Sequence, residues 1–133
     1  MSAWTPEHIN DLSSHTIVIT GANSGIGFEA AKVLAHAGAT VILACRNLDK
    51  ARNAAAAIRA SHSASSLLLC RLDLADLTSV RQCAHDITGQ VEHIDILINN
   101  AGIMAVPWMM TNDGFERQIG TNHFGHFALT AQL

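Results

Sequence analysis

The chain has 133 residues, 49% of them apolar and 14% charged, with eight Lys and Arg against eleven Asp and Glu for a net charge of −3. That length fits one domain of roughly 100 to 200 residues, and the composition is that of a packed globular chain, not a disordered one. The acidic balance excludes nucleic acid as a partner, no apolar run reaches membrane-spanning length, and an N-terminal segment with neither a basic nor an apolar leader region makes the cytoplasm the expected compartment.

In chain order, the apolar run Ile17-Val18-Ile19 predicts a first strand that leads into Gly21, Gly25 and Gly27. A helix follows from Ile26 to Ala37, closed by Gly38. Val41 to Cys45 predicts the second strand, and Leu48 to Ala60, with Asn47 as its cap, the second helix. Leu67 to Cys70 predicts the third strand, Thr78 to Ile87 a helix closed by Gly89, and Ile94 to Ile98 the fourth strand. Continuous apolarity, in place of alternation, suits strands covered on both faces. The resulting β-α-β-α-β-α-β order demands crossovers and a parallel sheet, an α/β doubly wound pattern.

Beyond Pro107, Thr111-Asn112-Asp113-Gly114 precedes a final predicted helix from Phe115 to Leu133. Asn112 or Asp113 is the expected cap, with Glu116 in the first turn where the helix dipole favours a carboxylate. No linker divides the chain, so 1–133 reads as one domain. Cys45, Cys70 and Cys83 are odd in number and widely spaced, which suits buried thiols in a reducing compartment. His123 and His126 lie three apart on the last helix. No carboxylate or thiol nearby completes a ligand set, so no metal is expected and both read as surface or packing residues.

The three glycines follow a strand and open a helix, the context in which they build a dinucleotide cradle. One permits a tight turn, one lets backbone approach a pyrophosphate, and one lets helix and strand pack closely. The helix N-terminus offers free N–H groups to the phosphates. Thr20-Gly21-Ala22-Asn23-Ser24-Gly25-Ile26-Gly27 resembles the cofactor signature of the short-chain dehydrogenase/reductase family, and Asn99-Asn100-Ala101-Gly102 resembles its second signature. The likeness runs from about His15 to Leu133 and corresponds to the family's N-terminal half. It implies a Rossmann-type sheet truncated after the fourth strand and fourth helix. It also implies that Thr20, Gly21, Asn23, Ser24, Gly25, Ile26 and Gly27 cradle the cofactor. Asp73-Leu74 then lies against the adenine, and Asn100, Ala101 and Gly102 approach from the fourth strand. Asn99 reads as a hydrogen-bonder between strands.

A Rossmann site for NAD carries Asp or Glu roughly 20 residues past the glycines, on the ribose 2′-OH. Here that strand end reads Ala44-Cys45-Arg46-Asn47, and Arg46 offers a guanidinium fork for a 2′-phosphate. The expected cofactor is therefore NADP, with NAD disfavoured. Asp49, three residues on, reads as a first-turn carboxylate of the second helix.

Thr121 to Phe127 resembles the family's fourth-helix motif, which implies that Asn122 belongs to a catalytic tetrad of Asn, Ser, Tyr and Lys. The stretch Asp113-Gly114-Phe115-Glu116 with Thr121 to Phe127 is most similar to the retinol dehydrogenase-like subgroup, implying a lipophilic carbonyl or alcohol substrate. The chain has no tyrosine, and the Ser and Tyr-x-x-x-Lys of the family would fall beyond Leu133, so these residues alone are expected to be inactive. The fourth strand would then be a free edge, open to pairing with another chain or to homo-oligomerisation. The alternatives are a non-catalytic nucleotide-binding or interaction module, or the remnant of an interrupted gene.

Overall fold

The computed structural model describes residues 3–133. After a single 3₁₀ turn, Pro6–His8, the chain forms β1 (Thr16–Thr20), α1 (Gly25–His36), β2 (Thr40–Cys45), α2 (Leu48–Ser61), β3 (Ser66–Arg71), α3 (Leu77–Gln90) and β4 (Ile96–Ile98). The four strands make one parallel sheet in the order β3-β2-β1-β4. Register follows from burial: Ile17 pairs with Val41 and Ile96, and Val41 with Leu67.

Side-chain alternation divides the core into two layers. Ile17, Ile19, Val41, Leu43 and Cys45 point to the face covered by α1 and α2. Val18, Ile42, Ala44 and Cys70 point to the face covered by α3 and the last helix through Val80, Cys83, Ile87 and Leu129. The helices supply matching stripes. Ala51, Ala54, Ala55 and Ile58 are buried on α2, and Val80, Cys83, Ala84 and Ile87 on α3, both at the spacing of one helical face. On α1 the stripe is Gly27, Ala31 and Ala35, small residues that let the helix approach the sheet.

All three cysteines are free and buried. Burial pushes the Cys45 thiol up to about 11. The Cys70 and Cys83 sulfurs meet 2.8 Å apart, and this contact together with burial pushes the Cys83 thiol up as well.

Several boundaries differ from the sequence reading. Gly38 does close α1, at φ +98°, but Gly89 lies inside α3, whose last turn needs no left-handed residue. β4 is three residues long, because Ile94 leaves the sheet to pack in the second layer. Asn112 and Asp113 do not cap the last helix. They serve α3 instead: Asp113 Oδ2 accepts from Leu77 N at 2.8 Å, and Asn112 Nδ2 donates to Asp76, the N-cap whose carboxylate takes Thr78 N and Ser79 N. Glu116 caps the C-terminal segment, accepting from Gln118 N and Ile119 N. That segment is broken into α4 (Arg117–Ile119), a wide π turn (Gly120–Phe124) and α5 (Gly125–Thr130). Gly125 rests directly on the Leu74 carbonyl, where a Cβ would not fit. Among the described residues no helix is long and apolar enough to cross a membrane.

Candidate functional site

The parallel topology brings the C-terminal ends of the strands to one rim, and the connections from β1 and β4 diverge there to opposite faces, which opens a crevice. The loop after β1 makes its turn with Gly21 at φ +67° and Gly25 at φ +58°, a backbone region costly for side chains. Each glycine meets a different requirement. A Cβ on Gly21 would stand 2.9 Å from Ala101 Cβ, and one on Gly27 would overlap the Asn100 carboxamide and lie 2.8 Å from the Gly21 carbonyl. Gly25 has no heavy atom within 4 Å of that position, so it faces open space. The N-cap residue Ser24 makes no side-chain cap bond. The first amides of α1 and the positive end of its dipole are therefore left to a ligand.

This rim encloses a cleft of about 410 Å³. The glycine loop contributes Gly21, Asn23 and Ser24, the end of β2 Ala44 and Arg46, the loop after β3 Leu72 to Ala75, and the chain after β4 Asn100 to Ile103. Arg117 and Thr121 close it, and no sequence motif marked them, since only the fold brings the start of the last helix to this rim. The size falls within the roughly 300–1,000 Å³ of small-molecule sites. An open helix N-terminus, a glycine with free space before it and two arginines at the wall fit a phosphorylated dinucleotide.

Of the sequence candidates, Gly21, Asn23, Ser24, Arg46, Asp73, Leu74, Asn100, Ala101 and Gly102 are brought together on this cleft. Ile26 stands beside it, 84% exposed at the first turn of α1. Thr20 and Gly27 lie behind the wall as supports. Asp73 forms a turn, its Oδ1 accepting from Ala75 N at 3.0 Å while its own amide donates to Ser79 Oγ. Asn99, and not Asn100, departs from its expected part. Asn100 is the bridge between strands, with Nδ2 donating to the Thr20 carbonyl at 2.9 Å, whereas Asn99 turns to Thr130 on α5.

Asn122 lies outside the cleft, in a shallow hollow of about 330 Å³ with Asn99, His123, His126, Phe127 and Thr130. Both ends of its carboxamide are engaged by one residue: Oδ1 accepts from Ile103 N and Nδ2 donates to Ile103 O, each at 2.8 Å. His123 faces Phe124 and Phe127. His126 is not a surface residue. The residue is 6% exposed, with Nε2 2.8 Å from Thr20 Oγ1 and Nδ1 3.0 Å from the Asn122 carbonyl. Burial holds this imidazole below its ordinary pKa. No group of three or more His, Cys, Asp or Glu side chains converges among the described residues.

The model of the family described as short chain dehydrogenase matches residues 15–133. The chain is 50% identical over 122 residues to retinol dehydrogenase 11 of Mus musculus, covering 92% of this chain and 39% of that protein. To retinol dehydrogenase 13 of Homo sapiens it is 49% identical over 118 residues, covering 89% and 36%. It thus spans less than two fifths of the length of these relatives. Among solved structures, a short-chain type dehydrogenase/reductase from Mycobacterium marinum superposes with a TM-score of 0.78 at 34% identity, covering 97% of this chain and 52% of that one. A short chain dehydrogenase from Escherichia coli CFT073, complexed with NADPH, superposes with the same TM-score at 31% identity, covering 93% and 53%. Glycine loop, sheet order and sequence agree, and the chain belongs to the short-chain dehydrogenase family.

Proposed function

We propose that the cleft binds NADP and that the chain is the nucleotide-binding part of an oxidoreductase acting on a carbonyl or alcohol, of a lipophilic kind. The observation that carries this reading is Arg46 on the cleft wall, immediately after β2, where no carboxylate stands to take the ribose 2′-OH. Asp49 does not compete, since it is ion-paired with Arg52 at 2.6 Å on α2. The NADPH complex of the Escherichia coli relative supports the phosphate-bearing cofactor, and the retinol dehydrogenases support the substrate class. Bound there, the nicotinamide supplies the hydride chemistry. The protein's part is to cradle the pyrophosphate on the amides of Gly25, Ile26 and Gly27, to hold the adenine between Leu74 and Gly102, and to fork Arg46 onto the 2′-phosphate. We assign Asn122 to the catalytic end. With no tyrosine among them, these 133 residues bind nucleotide without turning it over. Three free, buried thiols suit a reducing compartment, which supports the cytoplasm.

The test is a fluorescence titration with NADPH and NADH. A charge-assisted contact contributes roughly 1.5–3 kcal/mol, so Arg46→Ala weakens NADPH binding about tenfold to a hundredfold and NADH binding far less. Equal losses for both nucleotides remove the argument for NADP. A second reading is a non-catalytic interaction module. It has one observation in its favour: β4 is the sheet's edge, with Ile96 41% exposed.

A further inference from the structure

Thr20 Oγ1 accepts from two backbone amides, Asn100 N at 3.0 Å and Ala101 N at 2.9 Å. A hydroxyl has two lone pairs and one proton, so both acceptor sites are filled and the proton needs a partner. Ile98 O is distant, at 3.5 Å, whereas His126 Nε2 is at 2.8 Å. The other ring nitrogen, Nδ1, faces the Asn122 carbonyl, which only accepts. Nδ1 therefore carries the ring proton, and Nε2 is bare.

We propose that His126 is a positioning residue for the nucleotide cradle: as neutral imidazole it takes the Thr20 hydroxyl proton, which leaves the oxygen free to hold Asn100 and Ala101 against the glycine loop. The proposal rests on the reading that the cleft binds nucleotide. A second proton on the ring would point Nε2–H at an oxygen with no lone pair left, and one of the two amides must be released. Ala101 is the residue against which Gly21 is wedged, and Asn100 fills the space beside Gly27. Their release loosens the cradle.

The surroundings offer protonated His126 no compensation. Neither β1 nor the segment Ile96 to Ile103 holds a titratable side chain. α3 meets the last helix through an apolar face whose one titratable member is Cys83. The loop resting on Gly125 commits Asp73 to Ala75 N and Asp76 to the first amides of α3. His123 is turned to two phenylalanines.

The experiment follows NADPH affinity of the chain between pH 8 and 5.5, with circular dichroism at each point, in the parent and in His126→Leu and His126→Gln. The expected losses are a few-fold for the parent by pH 5.5, growing as pH falls through a His126 midpoint held below its ordinary value, and about tenfold for His126→Leu already at pH 8. Gln, which keeps an acceptor at the Nε2 position and has no proton to gain, recovers most of the pH 8 affinity and flattens the acid limb. In parallel, ¹⁵N resonances report the Nδ1-protonated tautomer at pH 8, and acid shifts the Asn100 and Ala101 amides with the His126 midpoint, in the parent but not in His126→Gln. An unchanged acid limb in His126→Gln, or the opposite tautomer, overturns the proposal. If the Leu variant does not fold, the Gln variant and the resonances decide. A parent that shows the amide response yet binds no NADPH defeats the nucleotide reading and leaves the Thr20–His126 bond supported.

Discussion

At the scale of single residues, glycines of the same motif differ in what a methyl group would disturb. At Gly25 an added Cβ meets nothing and the cost is backbone strain, of order 1 kcal/mol. Its methyl would stand in open space at the start of α1, where the proposed pyrophosphate meets the first amides, so Gly25→Ala is expected to lose NADPH binding out of proportion to its stability. At Gly27 the Cβ would overlap Asn100, and Gly27→Ala is expected to cost about 1–3 kcal/mol of stability by overpacking. Thermal unfolding beside a nucleotide titration separates the two. Equal stability losses would contradict the geometry. The thiols make a chemical check on the core: with Cys45 near 11 and all three buried, a disulfide reagent at pH 8 should label them slowly in the native chain and at once in denaturant.

Among the elements, α3 depends most on a tertiary cap. Asp76 takes two amides of its own helix and Asn112 from a distant loop, and Asp76→Ala is expected to cost about 1 kcal/mol. The Thr78 amide leads the contacts that hold this carboxyl below its ordinary value. The sign follows: the cap contributes fully above the unfolded value near 4 and fades as pH falls through the lower folded one. Urea midpoints from pH 7 to 3, compared with Asp76→Asn, should differ most at neutral pH and converge in acid. Asn47 as cap of α2, and the four strands, were legible because local rules decide them. The partners of Asn112, Asp113, Asn99 and Asn100 were not, since each is fixed by chain far away in sequence. The last helix was legible as helical backbone, which runs from Arg117 to Thr130, but the π turn within it, Gly120–Phe124, was not. His126 read as a surface or packing residue, and it is the winding of the sheet, setting α5 over the end of β1, that decides for packing.

For the molecule as a whole, the two core layers share a sheet but meet no common helix, and the sheet ends at β4 with an uncovered side. Ile96 is exposed there beside a half-buried Leu97 and Ile98. Unpaired apolar edges recruit other strands, and an inserted charge prevents it. The chain is expected to self-associate with rising concentration, and Ile96→Lys to shift it toward monomer in sedimentation velocity; a parent that stays monomeric at high concentration would show the edge to be harmless. On the opposite flank, Gly125 seats the C-terminal helix straight on the carbonyl of Leu74. The Leu74 carbonyl and Cβ both occupy the place a Cβ on Gly125 would take, so in a close-packed interior the loop cannot shift toward the helix without moving it. A ligand pressing on Leu74 from the cleft would then be felt by the segment that carries Asn122, in the separate hollow beside it.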